Sequence, residues 1–339
     1  MGDRKKILIC GPNWLGDCVM SMPAIRRFKR RNSGVRLEVM TKAPWADLWR
    51  MNPDVDGLQI FASTVPGTMR AAMALRKSGY DRACVLPNSF RSAFIPCLAG
   101  IPERIGFRGR LRQAMLTRVV VPPTAAALRH QMWEAMAILG APHDGADDLE
   151  PPYLNVEPGE RAECGSQFSV SPAERWIAFF PGAARGLSKR WPAEHFITVG
   201  RALMQSDSCR ILVLGSVAEQ SLCAVVADGI GAGARNLAGQ TSLRQLAALL
   251  ALCRVCVAND CGGMHLAAAV NTPVVAVYGI TDPEKTGPLG RAHRVVAQPG
   301  LPRRRDIRPL SATARRALHA VHPEQVCTAA RRALKGAES

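Results

Sequence analysis

The sequence reads as an α/β protein built from two doubly wound parallel-sheet domains in series. Three observations carry that reading. Short apolar runs alternate with amphipathic stretches of helical period, the pattern of βαβ units. The alternation halts at a polar stretch over residues 140–172, which carries Pro142, Pro151, Pro152, Pro158 and Pro172, and then restarts. The chain has 339 residues, of which 47% are hydrophobic and 21% charged, enough for two cores and too apolar for a disordered chain.

In order, Ile7–Cys10 is a first strand, followed by a helix from near Asp17 to Arg31 with Met20, Ala24, Ile25 and Phe28 inward. Val35–Met40 and Arg82–Leu86 are further strands, with a helix near Ser89–Ala99. The second series opens with the strand Trp176–Phe180 and a helix started by Pro192, a residue suited to a first helical position. Arg210–Leu214 is a strand, and Ser242 N-caps a helix running to Leu252. Val255–Ala258 and Val274–Tyr278 are buried strands flanking a helix at Met264–Val270. The boundary is expected at 165/166, and ligands are expected at the carboxyl ends of the strands, in a cleft between the domains.

No run approaches the 18 or so apolar residues of a membrane span. Arg4-Lys5-Lys6 precedes only four apolar residues, too few for a signal-peptide core, so a cytoplasmic protein is expected. The 11 cysteines are expected as reduced thiols, and Cys253-Arg254-Val255-Cys256 reads as core rather than as a metal or redox site. Lys and Arg number 44 against 27 Asp and Glu, a formal charge of +17 that suggests an anionic partner. Nucleic acid is disfavoured, because aromatics are only 5% and no binding module is present. An anionic lipid surface or acidic saccharide fits better. The bases cluster at 26–31, at Arg104, Arg108, Arg110 and Arg112, and at Arg303, Arg304, Arg305 and Arg308; a merely solvated basic face is the plainer alternative.

Three loops can carry chemistry. Gly11-Pro12-Asn13-Trp14-Leu15-Gly16-Asp17 follows a strand and opens a helix, yet matches neither a Walker loop nor the dinucleotide fingerprint. A carboxylate there repels phosphate, so Asp17 is either a general base or an acid complementing the helix dipole. Pro181 to Pro192 combines glycines, Lys189, Arg190 and a helix start, the parts of an anion site, or else is a basic loop pinned by Trp191. In Asn259-Asp260-Cys261-Gly262-Gly263-Met264-His265, paired glycines at a helix start let a phosphate approach the backbone; His265 is either a ligand contact or structural. Tyr278-Gly279-Ile280-Thr281-Asp282-Pro283 ends the next strand, with an ordinary Asp-Pro turn as its alternative.

Taken in order, Gly-Pro-Asn-Trp-Leu-Gly-Asp at 11–17, Lys-Arg-Trp-Pro at 189–192, Leu-Ala-Gly-Gln-Thr-Ser-Leu at 237–243, the Asn259–His265 motif and Tyr278-Gly279 with Thr281-Asp282-Pro283 resemble the ADP-heptose:lipopolysaccharide heptosyltransferases of glycosyltransferase family 9. The resemblance covers residues 6–290, and the segments at 86–93 and 99–109 lie nearer the type II than the type I branch. It implies a metal-independent inverting transferase of GT-B fold, with an acceptor-binding domain at 1–165 and a nucleotide-sugar domain with a basic C-terminal tail at 166–339. It implies Asp17 as the base on the acceptor hydroxyl and Lys189 on the donor diphosphate. Asp260, Gly262, Gly263 and His265 match the loop holding the nucleotide phosphates, Glu219 the acid on the ribose, and Thr241 lies near the adenine. The base must touch the acceptor, so Asn13, Asn88, Arg91, Arg104 and Arg108 on the same domain are expected to bind the anionic lipid A-core acceptor. No cofactor beyond the donor ADP-heptose is implied. Peripheral contact with the inner membrane is expected.

The sequence departs from the family pattern at Cys261 (in place of Ser or Thr), Gly263 (in place of a larger apolar residue), Ile280 (in place of proline) and Ala183-Ala184, which lack hydroxyls. The alternatives are a relative with another donor or acceptor, a nucleotide-sugar epimerase, and a non-catalytic nucleotide-binding protein of the same fold.

Overall fold

A computed structural model describes every residue except 1–3, 110, 123–129, 142–149, 185, 302, 305–306, 309 and 339, so the readings of Arg110, Pro142, Arg185 and Arg305 lie outside the described residues. The chain divides into two compact units, Met1–Asn155 and Val156–Ser339.

The first unit runs β1 (Lys6–Cys10), α1 (Leu15–Arg31), β2 (Arg36–Lys42), α2 (Ala46–Arg50), β3 (Gly57–Phe61), α3 (Val65–Ser78), β4 (Arg82–Val85), α4 (Phe90–Leu98), β5 (Glu103–Phe107), β6 (Arg118–Val120) and α5 (Met132–Leu139). Its sheet is parallel throughout, in the order β3-β2-β1-β4-β5-β6. The order reverses between β1 and β4, so the loops leaving these neighbours diverge and leave a crevice at their carboxyl ends. That places Gly11–Asp17 beside Leu86–Ser89. One sheet face packs on α3 and α4 through Leu8, Cys10, Ala83, Val85, Ala72, Leu75, Ala93 and Ile95. The Thr64 and Ser89 side chains cap α3 and α4, each worth about 1 kcal/mol.

The second unit runs α6 (Pro158–Gln167), β7 (Arg175–Phe180), α7 (Ala193–Asp207), β8 (Cys209–Val213), α8 (Gln220–Ile230), β9 (Ala234–Asn236), α9 (Leu243–Leu252), β10 (Val255–Asn259), α10 (Gly262–Ala269), β11 (Val274–Tyr278), α11 (Pro283–Thr286), β12 (Arg294–Ala297), α12 (Ala312–His319) and α13 (Pro323–Glu338). Its parallel sheet has the order β12-β11-β10-β7-β8-β9, with its own reversal between β7 and β10. Strands β10 and β11 are buried at every position, which is why they read as unbroken apolar runs. Ser242 caps α9 with a reciprocal Gln245 contact, as the sequence predicts. Helix α6 packs on α9 and belongs wholly to the second unit, although the expected boundary at 165/166 falls within it.

The basic C-terminal segment is not a tail. Helices α12 and α13 fold onto the second core, where Leu318, Val321, Val326 and Ala330 are buried with Phe196 and Val277. Hydrophobic pattern, not net charge, decides the placement of such a segment. Among the described residues no helix is long and apolar enough to cross a membrane.

Candidate functional site

At the switch point of the second sheet, Asn259 ends β10 fully buried. Its amide donates to the carbonyls of Pro181 (2.8 Å) and Gly182 (3.4 Å), and its Oδ1 accepts the Trp191 N–H at 3.0 Å. One side chain thus clamps both ends of the loop that carries Lys189. Within that loop Gly186 takes φ +85°, a backbone conformation open to glycine. Ser188 donates to the Arg308 carbonyl (2.6 Å) and accepts the Ser311 N–H (2.7 Å). Lys189 forms an ion pair with Asp260, both largely buried. Asp260 stands just ahead of α10, where a carboxylate is favoured by the helix dipole, and the first amides of α10 have no intrahelical acceptor. The switch point therefore joins a cation, a helix N-terminus and a glycine pair.

The neighbouring loops converge on the same edge. Glu219 Oε2 accepts from the Ser216 N–H (2.9 Å) and hydroxyl (2.7 Å). Its other oxygen lies against Gly182, where an added Cβ would come within 2.0 Å of it. Gly239, at φ +71°, donates to Gly215 O at 2.9 Å, and Gln220 Nε2 to Ala238 O at 3.2 Å, so the loop bearing half-buried Thr241 is tied to the Glu219 loop. A Cβ at Gly263 would meet the Phe180 ring at 2.5 Å. A larger residue has no room here, because the ring of Phe180 already fills the space. Gly262 is half-buried at the helix start, while His265 is buried. Burial pushes the Cys261 thiol up to about 12, against the opposing pull of the Met264 and Gly263 amides, so it remains a neutral thiol. Asp282 caps α11 through Glu284 N at 3.0 Å, which is the ordinary-turn alternative. The Ile280 carbonyl accepts the Arg304 N–H at 2.8 Å, and Arg303 donates to Gly279 O at 2.6 Å.

The first unit's switch point is different. Asp17 sits half-buried in the first turn of α1, and Gln131, just ahead of α5, donates to its Oδ1 at 3.2 Å. Asn13 is half-buried and its carbonyl accepts from Trp45 Nε1 at 3.1 Å. Asn88 is exposed in the facing loop, and its Oδ1 accepts from Arg112 at 3.3 Å. Arg91 and Arg108 are exposed at this edge.

Two arginines are placed otherwise than expected. Arg112 is not on the surface: it is fully buried, with Nη1 on Pro87 O at 2.5 Å, while Nε and Nη2 find no acceptor among the described residues. Gly106 and Gly109 make room for it, since a Cβ on either would lie 2.8 Å from its side chain. Burial lowers its pKa. Arg104 is engaged by backbone, donating to Met115 O at 2.6 Å and to Ile101 O, so it ties β5 to the segment before β6. Sequence reasoning quoted Asn259 as the opening of its motif without assigning it a role, and it missed Gln131 and the buried state of Arg112.

Comparison with known proteins agrees with this geometry. Residues 68–310 match glycosyltransferase family 9 (heptosyltransferase). The chain is 37% identical over 305 residues to lipopolysaccharide heptosyltransferase 2 of Escherichia coli, covering 86% of this chain and 87% of that one. It is 35% identical over 298 residues to lipooligosaccharide heptosyltransferase 2 of Haemophilus influenzae, covering 84% and 86%. The solved structure of E. coli ADP-heptose lps heptosyltransferase II superposes with a TM-score of 0.86 at 32% identity, covering 98% of this chain and 100% of that one. The doubled parallel sheet, the ordered motifs and these matches agree: the chain belongs to glycosyltransferase family 9, the heptosyltransferases.

Proposed function

We propose that this chain is a type II heptosyltransferase, moving heptose with inversion from ADP-heptose to the inner-core heptose of lipopolysaccharide. One observation supports the reading most: of two switch points, the second carries a cation at a helix N-terminus and the first carries a carboxylate. The donor diphosphate belongs at the former. Lys189 and the first amides of α10 offset the charge that builds on departing ADP, with no divalent metal needed. Asp260 holds the Lys189 ammonium until phosphate oxygens share it. Glu219 receives ribose hydroxyls through the oxygen facing Gly182, with Thr241 near the adenine and half-buried Gly262 allowing close approach, while Gly263, packed on Phe180, and buried His265 hold the loop from within.

The acceptor belongs on the first unit, against Asn13, Asn88, Arg91 and Arg108. Guanidinium groups suit its phosphates and acidic sugars. Asp17, oriented by Gln131, takes the proton of the acceptor hydroxyl as that oxygen attacks the anomeric carbon. The new glycosidic bond forms on the face opposite the breaking bond to ADP, which inverts the configuration. The test is ADP release from a panel of nucleotide sugars with and without a heptosylated core acceptor. Acceptor-dependent release from ADP-heptose is expected; release only from another donor, or none, overturns the reading.

A further inference from the structure

Helices α3 and α4 lie side by side on one face of the first sheet, and their outer surfaces are unusually apolar. Met69 and Met73, one turn apart on α3, are 43% and 58% exposed. On α4, Phe90 and Leu98 are 46% and 39% exposed, and Phe90 stacks on Phe94 at 5.6 Å. Scattered single apolar residues need no explanation, but two adjoining stripes do. The charge on the two helices has one sign. Arg70, Arg76 and Lys77 are exposed on α3, and across 57–102 the one acid is Asp81, which accepts the Lys6 N–H at 2.7 Å just ahead of β4. Each helix follows a strand whose carboxyl end lies at the Asp17 edge, so the N-termini of both helices sit at that edge. Leu111, 77% exposed, lies there as well, in the connection after β5.

We infer that the α3–α4 face is a docking surface for an anionic lipid bilayer. Apolar side chains enter the headgroup boundary while the flanking cations meet anionic headgroups. The arrangement puts the reactive edge of the first unit against the membrane. An acceptor anchored there by acyl chains presents its sugars to Asp17 without leaving the bilayer. The inference relies on the proposed function only for that last step.

The test is co-sedimentation of the full chain with vesicles of phosphatidylglycerol and phosphatidylethanolamine, with phosphatidylcholine vesicles alongside and no turnover measured. Binding to the anionic vesicles, weakened by salt, is expected. Met69→Ser with Met73→Ser, and separately Arg70→Glu with Lys77→Glu, should each lower the partition coefficient about tenfold or more. Both variants should keep wild-type kcat and KM on a water-soluble core fragment and show a raised KM on acceptor embedded in vesicles. Failure of the wild type to bind anionic vesicles, equal binding to phosphatidylcholine, or undiminished binding by both variants overturns the inference. So does light scattering that shows a wild-type dimer split by the methionine variant, which would make the face a contact between copies. Because binding is read without catalysis, none of these outcomes depends on whether ADP-heptose is the donor.

Discussion

The two units share a strand order. Numbered from its own first strand, each reads 3-2-1-4-5-6, and each reverses direction between its first and fourth strands. What differs is the chemistry set at the same topological point. The first unit places there a carboxylate braced by a glutamine; the second places an ammonium, a helix start and two glycines. The scaffold supplies a crevice in both cases, and the residues at the loop tips decide which half of a transfer reaction each crevice can serve.

The sharpest way to break that comparison is to remove the carboxylate. Asp17→Asn should lower turnover about 10²–10⁴-fold, the range for a positioned general base, while calorimetry finds ADP binding intact. Turnover near wild type would end the assignment. In the other unit, Lys189→Met should lower kcat/KM for the donor about 10²-fold and leave the acceptor KM unmoved. It also strands a buried carboxylate, at a cost of up to about 3–5 kcal/mol. Adding Asp260→Asn should recover the melting temperature without recovering turnover; recovery of both would reduce the pair to a structural one.

Smaller effects sharpen the contrast. Gly263→Ala should destabilise the second unit by about 1–3 kcal/mol, because the new methyl overlaps the Phe180 ring, and Phe180→Leu should relieve it in a denaturant titration. Arg112→Met, in the first unit, should leave stability unchanged or raised, since a half-satisfied buried cation gives way to an apolar chain. A fall of several degrees in melting temperature would contradict that. The smallest effect concerns pH. Burial and the nearby His319 hold the His195 imidazole below its ordinary value. The unfolded chain then binds this proton more readily than the folded one, so the contribution to stability is lost as pH falls through the imidazole range. His195→Phe should flatten the dependence of melting temperature on pH between about 7 and 5.

Legibility in the sequence followed burial. Strands β1, β2, β4, β7, β8, β10 and β11 are largely apolar and were found within a residue or two, whereas β3 and β5, five residues each and only partly buried, were not. The edge strands β6, β9 and β12 are three or four residues long and half-exposed, too short for a period to register. At the site, glycines beside a cation or carboxylate announced their loops because those residue types are needed within a few positions. The bracing residues were silent: Gln131 is 114 positions from Asp17, and nothing local distinguishes it from any other glutamine. Nor does the sequence separate exposed Arg108 from buried Arg112, because the difference rests on two missing side chains, at Gly106 and Gly109. Reading the basic residues as one surface failed for that reason.

The anchor of the Lys189 loop has a consequence for biosynthesis. Ser188 is bonded to residues 120 and 123 positions further along the chain. Domains emerge and fold from the N-terminus during translation, so the first unit can be complete while the ribosome is still making the second. The loop that carries Lys189 is fixed long after it is made, since its partners at Arg308 and Ser311 follow Ser188 by 120 and 123 positions. A message truncated after β12 would therefore yield a protein with every motif residue present, an intact first unit, and a Lys189 loop that never closes.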